Sequence, residues 1–145
     1  MSSIEFFFED IPSFETNQDF IKNQLQQLII EEGKQPGDIT VIFCSDDYLL
    51  EMNKKHLKHD YYTDIITFNY VEDFLISGDL FISAHRIKDN AAKFSVVFLE
   101  ELYRVIFHGI LHLIGYNDKT EAEKNVMRQK ENYYLAKIDT TRLET

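Results

Sequence analysis

Two histidines lie four residues apart in the stretch HGILHLIGYND, which covers residues 108–118 and is otherwise largely apolar. Residues four apart in a helix share a face, so the imidazoles of His108 and His112 are expected to lie one above the other. A buried imidazole without a partner costs roughly 1–3 kcal/mol, and one metal ion would satisfy both rings. The spacing alone leaves open that both are core histidines bonded to backbone carbonyls or to a carboxylate.

Asp118 is the expected third ligand of such a metal. Gly115 lets the chain turn back sharply after the helix, so a carboxylate a few residues later can fold over the same face. Two histidines and one aspartate leave a fourth position open to water, which is typical of a catalytic zinc site. The alternatives are that Asp118 only helps Thr120 at the start of the next helix, or that His59 or His85 is the third ligand.

Gly109 follows the first histidine, and this argues against peptidase chemistry. In the helical zinc-protease signature, a glutamate follows the first histidine and acts as the base. Glycine in a buried helix costs about 1 kcal/mol relative to alanine, which indicates that another element packs closely at this position. A metallopeptidase is therefore the weaker enzyme hypothesis.

The elements that must hold these residues follow from hydrophobic periodicity, capping residues and turn residues. Strands are predicted at 4–8, 39–44, 65–70 and 78–82, a turn at PGD (36–38) and a loop at 56–64. Helices are predicted at 17–32, 46–55, 84–94 and 97–114, and from the capping box of Thr120 and Glu123 to about 137. This order predicts an α/β fold of the α+β type, a small mixed sheet covered by helices, with a buried central helix carrying the histidine pair.

Length and composition bound the class of protein. The chain has 145 residues and shows no repeats or Pro/Gly-rich linker, so one domain over 1–145 is expected. A net charge of −10 argues against nucleic-acid binding by bulk electrostatics but allows a local basic patch.

Cys44 is expected to be a buried apolar residue. The N-terminus lacks a signal-peptide pattern and charges interrupt the apolar segment 95–115, so a cytoplasmic protein is expected.

The segment HGILHLIGYND closely resembles the signature H-G-x-L-H-L-x-G-Y-D-H of the YbeY endoribonucleases, which are metal-dependent ribosomal RNA maturation factors. The family's aspartate falls on Asn117 and its third zinc-ligand histidine falls on Asp118. The segments at 52–53, 60–68 and 78–83 resemble further blocks of the family in the same order and spacing. Met127 and the glutamates near it resemble the family's last helix. The matching positions of the signature are His108, Gly109, Leu111, His112, Leu113, Gly115 and Tyr116.

The resemblance implies an α/β fold with a zinc ion at the end of the central helix, held by His108, His112 and Asp118. It implies hydrolysis of single-stranded RNA in the maturation of ribosomal RNA, at the 3′ end of 16S rRNA, and in ribosome quality control. The implied partners are ribosomal RNA and the small ribosomal subunit or its proteins, with no membrane and no DNA. A water at the open metal position is the expected nucleophile, and the general acid and base stay unassigned.

Two positions depart from the family pattern. Asp118 replaces a neutral ligand with an anionic one, which should keep a metal, make its bound water less acidic and favour a harder metal such as Mn. An arginine usual in the family falls on Leu57. Lys54, Lys58 and His59 keep this loop basic and are the expected substrate-binding residues, with a solvated lysine loop as the alternative.

Other polar residues carry weaker expectations. Thr63 and Asp64 head a strand, and either line the cleft or only begin the strand. Glu100 and Glu101 precede His108 by about two helical turns and are expected on a solvated helix face, too far away for the same site. A rival hypothesis is a non-catalytic ribosome-assembly binding protein with a structural or vestigial metal, which the missing arginine and the acidic charge favour.

Overall fold

The computed structural model describes residues 3–57 and 63–138. The predicted order of strands and helices is confirmed over these ranges. The strands are β1 (Ile4–Phe8), β2 (Gln35–Cys44), β3 (Ile65–Asn69) and β4 (Leu75–Ser83). The helices are α1 (Gln18–Glu31), α2 (Asp46–Leu57), α3 (Ala84–Phe94), α4 (Phe98–Ile114) and α5 (Glu121–Leu135).

The strands form one mixed sheet in the order β1-β2-β4-β3, which confirms the predicted small mixed sheet of the α+β type. β1, β2 and β4 run parallel, and β3 is antiparallel to β4 at one edge. Val41 of β2 pairs with Phe6 of β1 on one side and with Leu80 of β4 on the other. The parallel strands are joined by segments that contain helices, because a parallel pair needs a long crossover connection.

The prediction of a turn at residues 36–38 is wrong. β2 begins at Gln35 and includes the PGD segment, and its register against β4 shifts between Pro36 and Ile39. Proline cannot donate a hydrogen bond to the sheet, so it is tolerated where the pairing is irregular. The segment therefore extends the strand through an irregularity and does not reverse the chain.

Side chains along the strands alternate between two cores of unequal size. Leu80 and Ile82 of β4 face the larger core, which also contains buried side chains of α1, α3, α4 and α5. Phe81 faces the other side of the sheet, where Leu49 of α2 packs against Cys44. The prediction that Cys44 is buried is confirmed.

α4 is the central helix, and the sheet holds it closely. A Cβ added to Gly109 would lie 2.7 Å from Ile65 Cδ1 and 3.0 Å from Leu80 Cδ2, so the close packing expected at this glycine is confirmed. The predicted burial of this central helix is interrupted along one strip. The side chains of His108 and His112 are 23% and 26% exposed there. None of the helices in the described ranges is both long and apolar enough to span a bilayer.

Candidate metal centre

The last two turns of α4 and the loop that follows bring His108, His112 and Asp118 together. His108 Nε2 lies 3.1 Å and His112 Nε2 lies 3.4 Å from Asp118 Oδ2. One potential ligand atom from each of the three residues lies within 4.8 Å of the others. The imidazole ring centroids are 4.7 Å apart, which confirms that the two histidines share a face.

The loop after α4 brings Asp118 back to this face of the helix through a glycine turn and a capping box. Gly115 adopts a φ of +127°, a conformation that glycine takes easily. Thr120 and Glu123 form the predicted capping box, in which each side chain accepts from the other residue's backbone N–H. The start of α5 is thus capped by Thr120 and Glu123, while the carboxylate of Asp118 contacts the two imidazoles.

Glu131 of α5 holds His108 from the other side of the ring. The distance from His108 Nδ1 to Glu131 Oε2 is 2.7 Å, and Arg104 Nη1 donates to Glu131 Oε1 at 2.9 Å. A carboxylate only accepts, so Nδ1 carries a proton and donates to Glu131, and Nε2 is the ring atom that faces Asp118. Glu131 lies on the buried stripe of α5 with Met127 and Tyr134, where an apolar residue is expected. A glutamate at such a position is the sequence signal that could have indicated its contact with His108.

The two groups shift each other's pKa values. Burial opposes a charge on His108, but the hydrogen bond to Glu131 and the nearby negative charges outweigh it and raise the His108 pKa. Burial also acts to raise the pKa of Glu131, but hydrogen bonds from His108 and Arg104 outweigh it and lower that pKa. A positive imidazole and a negative carboxylate thus stabilise each other.

A cleft of about 340 Å³ opens beside the three residues. Glu101 lines this cleft together with His108 and is only 5% exposed, so its predicted place on a solvated face is wrong. The two residues are seven apart, and residues separated by two helical turns share a face. Among the described residues, the cleft is lined by Asp64, Asn90, Phe94, Glu101, Arg104, Val105, His108, Asp118, Lys124, Met127, Arg128 and Glu131.

Two carboxyl groups in the cleft have raised pKa values. Burial raises the pKa of Glu101, with the charge of Arg104 opposing it. Burial also raises the pKa of Asp64, against the charge of His108. Asp64 therefore lines the cleft, which was one of its two expected roles. Thr63 instead makes a strand-entry contact, its hydroxyl donating to Ile65 O at 3.5 Å.

The remaining predicted site residues lie elsewhere or outside the described ranges. Lys54 is on α2, 41% exposed, with its Nζ 3.5 Å from Glu51, and it is not among the residues that line the cleft. Lys58 and His59 lie outside the described residues. His85 Nδ1 accepts from the backbone N–H of Asp46 at 3.4 Å, so His85 contacts the start of α2 and not the His-His-Asp cluster.

The donor set of this cluster fits a divalent metal ion. Two imidazole nitrogens and one carboxylate oxygen are ligands that zinc takes in catalytic sites. Tetrahedral zinc with bonds of about 2.0–2.1 Å separates its donors by about 3.3 Å. The separations of 3.1 and 3.4 Å from Asp118 Oδ2 are close to that value. Glu131 supplies the carboxylate that commonly holds the second nitrogen of a metal-binding histidine.

Fold and site together define an α+β protein with an open His-His-Asp cluster at the end of its central helix, beside a cleft. A family model described as "Endoribonuclease YbeY" matches residues 8–139, and the chain belongs to this family, as its signature segment predicted.

Relatives named endoribonuclease YbeY match most of the chain. The protein from Azobacteroides pseudotrichonymphae is 54% identical over 114 residues, which are 79% of this chain and 82% of that one. The protein from Parabacteroides distasonis is 46% identical over 134 residues, covering 92% and 94%. The fold is similar to the solution structure of TM1509 from Thermotoga maritima, with a TM-score of 0.64, 26% identity, and coverage of 92% and 87%.

Proposed function

We propose that this chain is a metal-dependent endoribonuclease that cuts single-stranded RNA during the maturation of ribosomal RNA. The observation that carries the proposal is the His-His-Asp cluster beside a cleft, in a family whose members are named for endoribonuclease activity. The proposed setting is the 3′ end of 16S rRNA on the small ribosomal subunit and ribosome quality control, in the cytoplasm where ribosomes work. The whole chain, 1–145, is proposed to form one domain.

His108 and His112 would hold the metal through Nε2, and Asp118 through a carboxylate oxygen. The proposed metal is one zinc ion, with manganese as the alternative that Asp118 favours. When bound, the ion supplies Lewis-acid chemistry at the phosphodiester. Glu131 keeps the Nε2 lone pair of His108 directed at the cluster, and Arg104 holds Glu131 in place.

Asp64 and Glu101 are the groups that we propose move protons in this reaction. Both carboxyl groups line the cleft with His108, and burial raises the pKa of each. A carboxyl group with a raised pKa keeps its proton to a higher pH than a free carboxyl group, which suits it to donate that proton to a departing oxygen. Which of the two acts as acid is decided by the pose of the substrate.

The proposal is tested with a fluorescently labelled single-stranded RNA and untagged protein. Cleavage should stop on chelation and return when zinc or manganese is added, and Asp118→Ala should abolish it. Asn117→Ala is the matched control, because Asn117 is exposed, adjoins the ligand and is not part of the cluster. Equal cleavage by Asp118→Ala and wild type would contradict the proposed site.

One observation favours a second candidate function, a non-catalytic ribosome-assembly protein with a structural or vestigial metal. Leu57 stands where the family usually carries an arginine, and it is 40% exposed at the end of α2. The same assay separates the two candidates. A chain that retains one metal per molecule and binds RNA, but leaves it intact under every metal condition, would support the second.

A further inference from the structure

We propose that the part of the cleft between α3 and α5 holds one unpaired nucleotide. Its base stacks on Phe94, and its phosphate is held by Lys124 and Arg128. This inference rests on the proposed function, because it names the subsite that receives a nucleotide of single-stranded RNA next to the candidate metal centre.

Phe94 offers the aromatic surface that a nucleobase needs. It is the last residue of α3, lines the cleft and is 51% exposed, although it is a large apolar side chain. Asn90 lines the same cleft one helical turn earlier, and its side-chain amide can both donate to and accept from a base edge. Lys93 Nζ lies 5.7 Å from the centre of the Phe94 ring, so a positive charge accompanies the aromatic surface.

Lys124 and Arg128 supply exposed positive charge on the α5 side of the cleft. They are four residues apart, so they share a face of α5, and their side chains are 57% and 58% exposed. Their ion pairs are long, 3.8 Å from Lys124 to Glu121 and 3.6 Å from Arg128 to Glu131. Arg104 differs, since it is 20% exposed and donates at 2.9 Å to Glu131.

The negative net charge of the chain contrasts with the positive charge of Lys124 and Arg128 in the cleft. The chain carries a net charge of −10, so its overall field repels a polyanion. Lys124 and Arg128 nevertheless lie in the same cleft as Phe94 and the candidate ligands His108 and Asp118. An aromatic face beside two exposed cations is the combination that single-strand-binding proteins use for base and backbone.

The size of the cleft limits what it can accept. Its volume of about 340 Å³ is at the small end of ligand pockets, which span about 300–1,000 Å³. That space is enough for one nucleotide. A base must leave its helical stack to reach Phe94, which gives a physical reason for preferring single strands.

The test of stacking uses the absence of tryptophan from this chain. Phe94→Trp places the only tryptophan of the variant in the cleft, where it can be excited separately from the tyrosines. Metal-free protein leaves the RNA intact during titration with a short oligoadenylate. The fluorescence should be quenched to saturation as the base stacks on the indole. Phe74→Trp is the control, because Phe74 is 61% exposed before β4 and outside the cleft lining, and it should show no quenching. An unchanged Phe94→Trp signal, or equal quenching of both, overturns the proposal.

Affinity gives an independent readout on the same metal-free protein. Phe94→Ala should weaken binding of the oligoadenylate about 5- to 100-fold, while Phe94→Tyr, which keeps the ring, should bind like wild type. Lys124→Ala and Arg128→Ala should each reduce the slope of log K against log salt by about 0.7. Competition by a duplex of the same length should be weak, and equal competition would contradict the subsite.

Failure of this inference can be told apart from failure of the proposed function. If wild type cleaves single-stranded RNA and Phe94→Ala binds and cleaves as well as wild type, the subsite is wrong and the proposed function stands. If wild type neither binds nor cleaves single-stranded RNA, both are wrong. Because the Phe94 side chain is half exposed, the alanine variant should melt like wild type in circular dichroism, which checks its fold.

Discussion

The carboxylate of Asp118 distinguishes this cluster from one built of three imidazoles. It places a hard, anionic oxygen 3.1 and 3.4 Å from the Nε2 atoms of His108 and His112. Imidazole suits zinc, whereas carboxylate oxygen also suits harder ions such as manganese. We therefore expect this single side chain to set the balance between these metals at the proposed site.

We predict that Asp118→His shifts the metal preference toward zinc. The ratio of manganese to zinc affinity should fall by on the order of tenfold, because a soft nitrogen replaces the hard oxygen. The dissociation constants are measured by competition with a chromophoric chelator. Asn117→His adds a histidine at the neighbouring position and should leave the ratio unchanged. A ratio unaffected by Asp118→His would show that Asp118 is not a ligand.

We predict that Glu131→Gln weakens metal binding about 10- to 100-fold, the usual effect of losing the partner of a metal-binding histidine. The amide keeps the shape of the side chain but removes the charge that holds the Nδ1 proton of His108. Glu121→Gln lies on the same helix, 88% exposed, and serves as the control. The measurement is again chelator competition, and equal affinities of the two variants would contradict the orienting role.

At the scale of elements, the site depends on how α4 ends and α5 begins. α4 ends at Ile114, Gly115 turns the chain, and the capping box of Thr120 and Glu123 starts α5. The turn and the capping box depend on hydrogen bonds and dihedral angles of residues that are near in the chain. The position of Asp118 therefore follows from local interactions. The junction of the two helices is therefore part of the candidate metal centre.

We predict that Gly115→Ala lowers the free energy of unfolding by about 1–3 kcal/mol, the cost of a strained backbone conformation. A Cβ at Gly115 would meet nothing within 4 Å, so the effect comes from its φ of +127° and not from a clash. Urea denaturation measures it, with Asn125→Ala on the exposed face of α5 as the control, expected within about 0.5 kcal/mol of wild type. Equal stability of Gly115→Ala and wild type would exclude a strained turn.

At the scale of the whole molecule, Glu32 connects the first helix to the last. Directly after α1, its carboxylate accepts from the hydroxyl of Tyr116 at 2.6 Å, from the hydroxyl of Tyr134 and from Lys130 at 3.1 Å. The Glu32 side chain is only 8% exposed. Tyr116 belongs to the loop that carries Asp118, so this contact ties the end of α1 to the candidate metal centre.

We predict that Glu32→Gln destabilises the protein by about 1–3 kcal/mol at neutral pH, because buried donors lose a charged acceptor. Burial acts to raise the pKa of Glu32, but hydrogen bonds from Tyr116, Tyr134 and Lys130 outweigh it and lower the pKa below 4.5. The stabilisation is therefore complete above pH 4.5 and is lost as the pH falls through the folded-state pKa.

Urea denaturation of Glu32→Gln and wild type over a range of pH measures this. Their stability difference should shrink as the pH falls below 4.5. Glu51→Gln removes a carboxylate that is 74% exposed, and it should differ little from wild type at any pH. A difference between Glu32→Gln and wild type that is independent of pH would rule out the charge as its cause.

We predict a single cooperative unfolding transition for the whole chain, since one domain over 1–145 is expected. The larger core combines residues of the sheet with residues of α1, α3, α4 and α5, so these elements share their stabilisation. Circular dichroism and tyrosine fluorescence should report the same midpoint in urea. Two separate midpoints would show that the chain folds as more than one unit.

The sequence by itself determined the order of the elements, the shared face of the two histidines and the return of Asp118 to that face. These predictions rest on hydrophobic periodicity, on a glycine after the helix and on a capping box. All three depend on interactions between residues that are near in the chain. It also showed from Gly109 that something packs closely on α4. Because these features depend on local interactions, a sequence pattern can predict them.

Only the tertiary structure decided which faces meet. Glu131 reaches His108 across 23 residues and Glu32 reaches Tyr116 across 84. Glu101 is buried in the cleft because α3 and α5 line the cleft beside it, although its charge alone predicts a solvated face. The segment 36–38 is strand and not turn because β4 pairs with the residues on both sides of its irregularity, Pro36 and Ile39. A helical or turn pattern in the sequence predicts which side chains share a face. It does not predict which other element packs against that face.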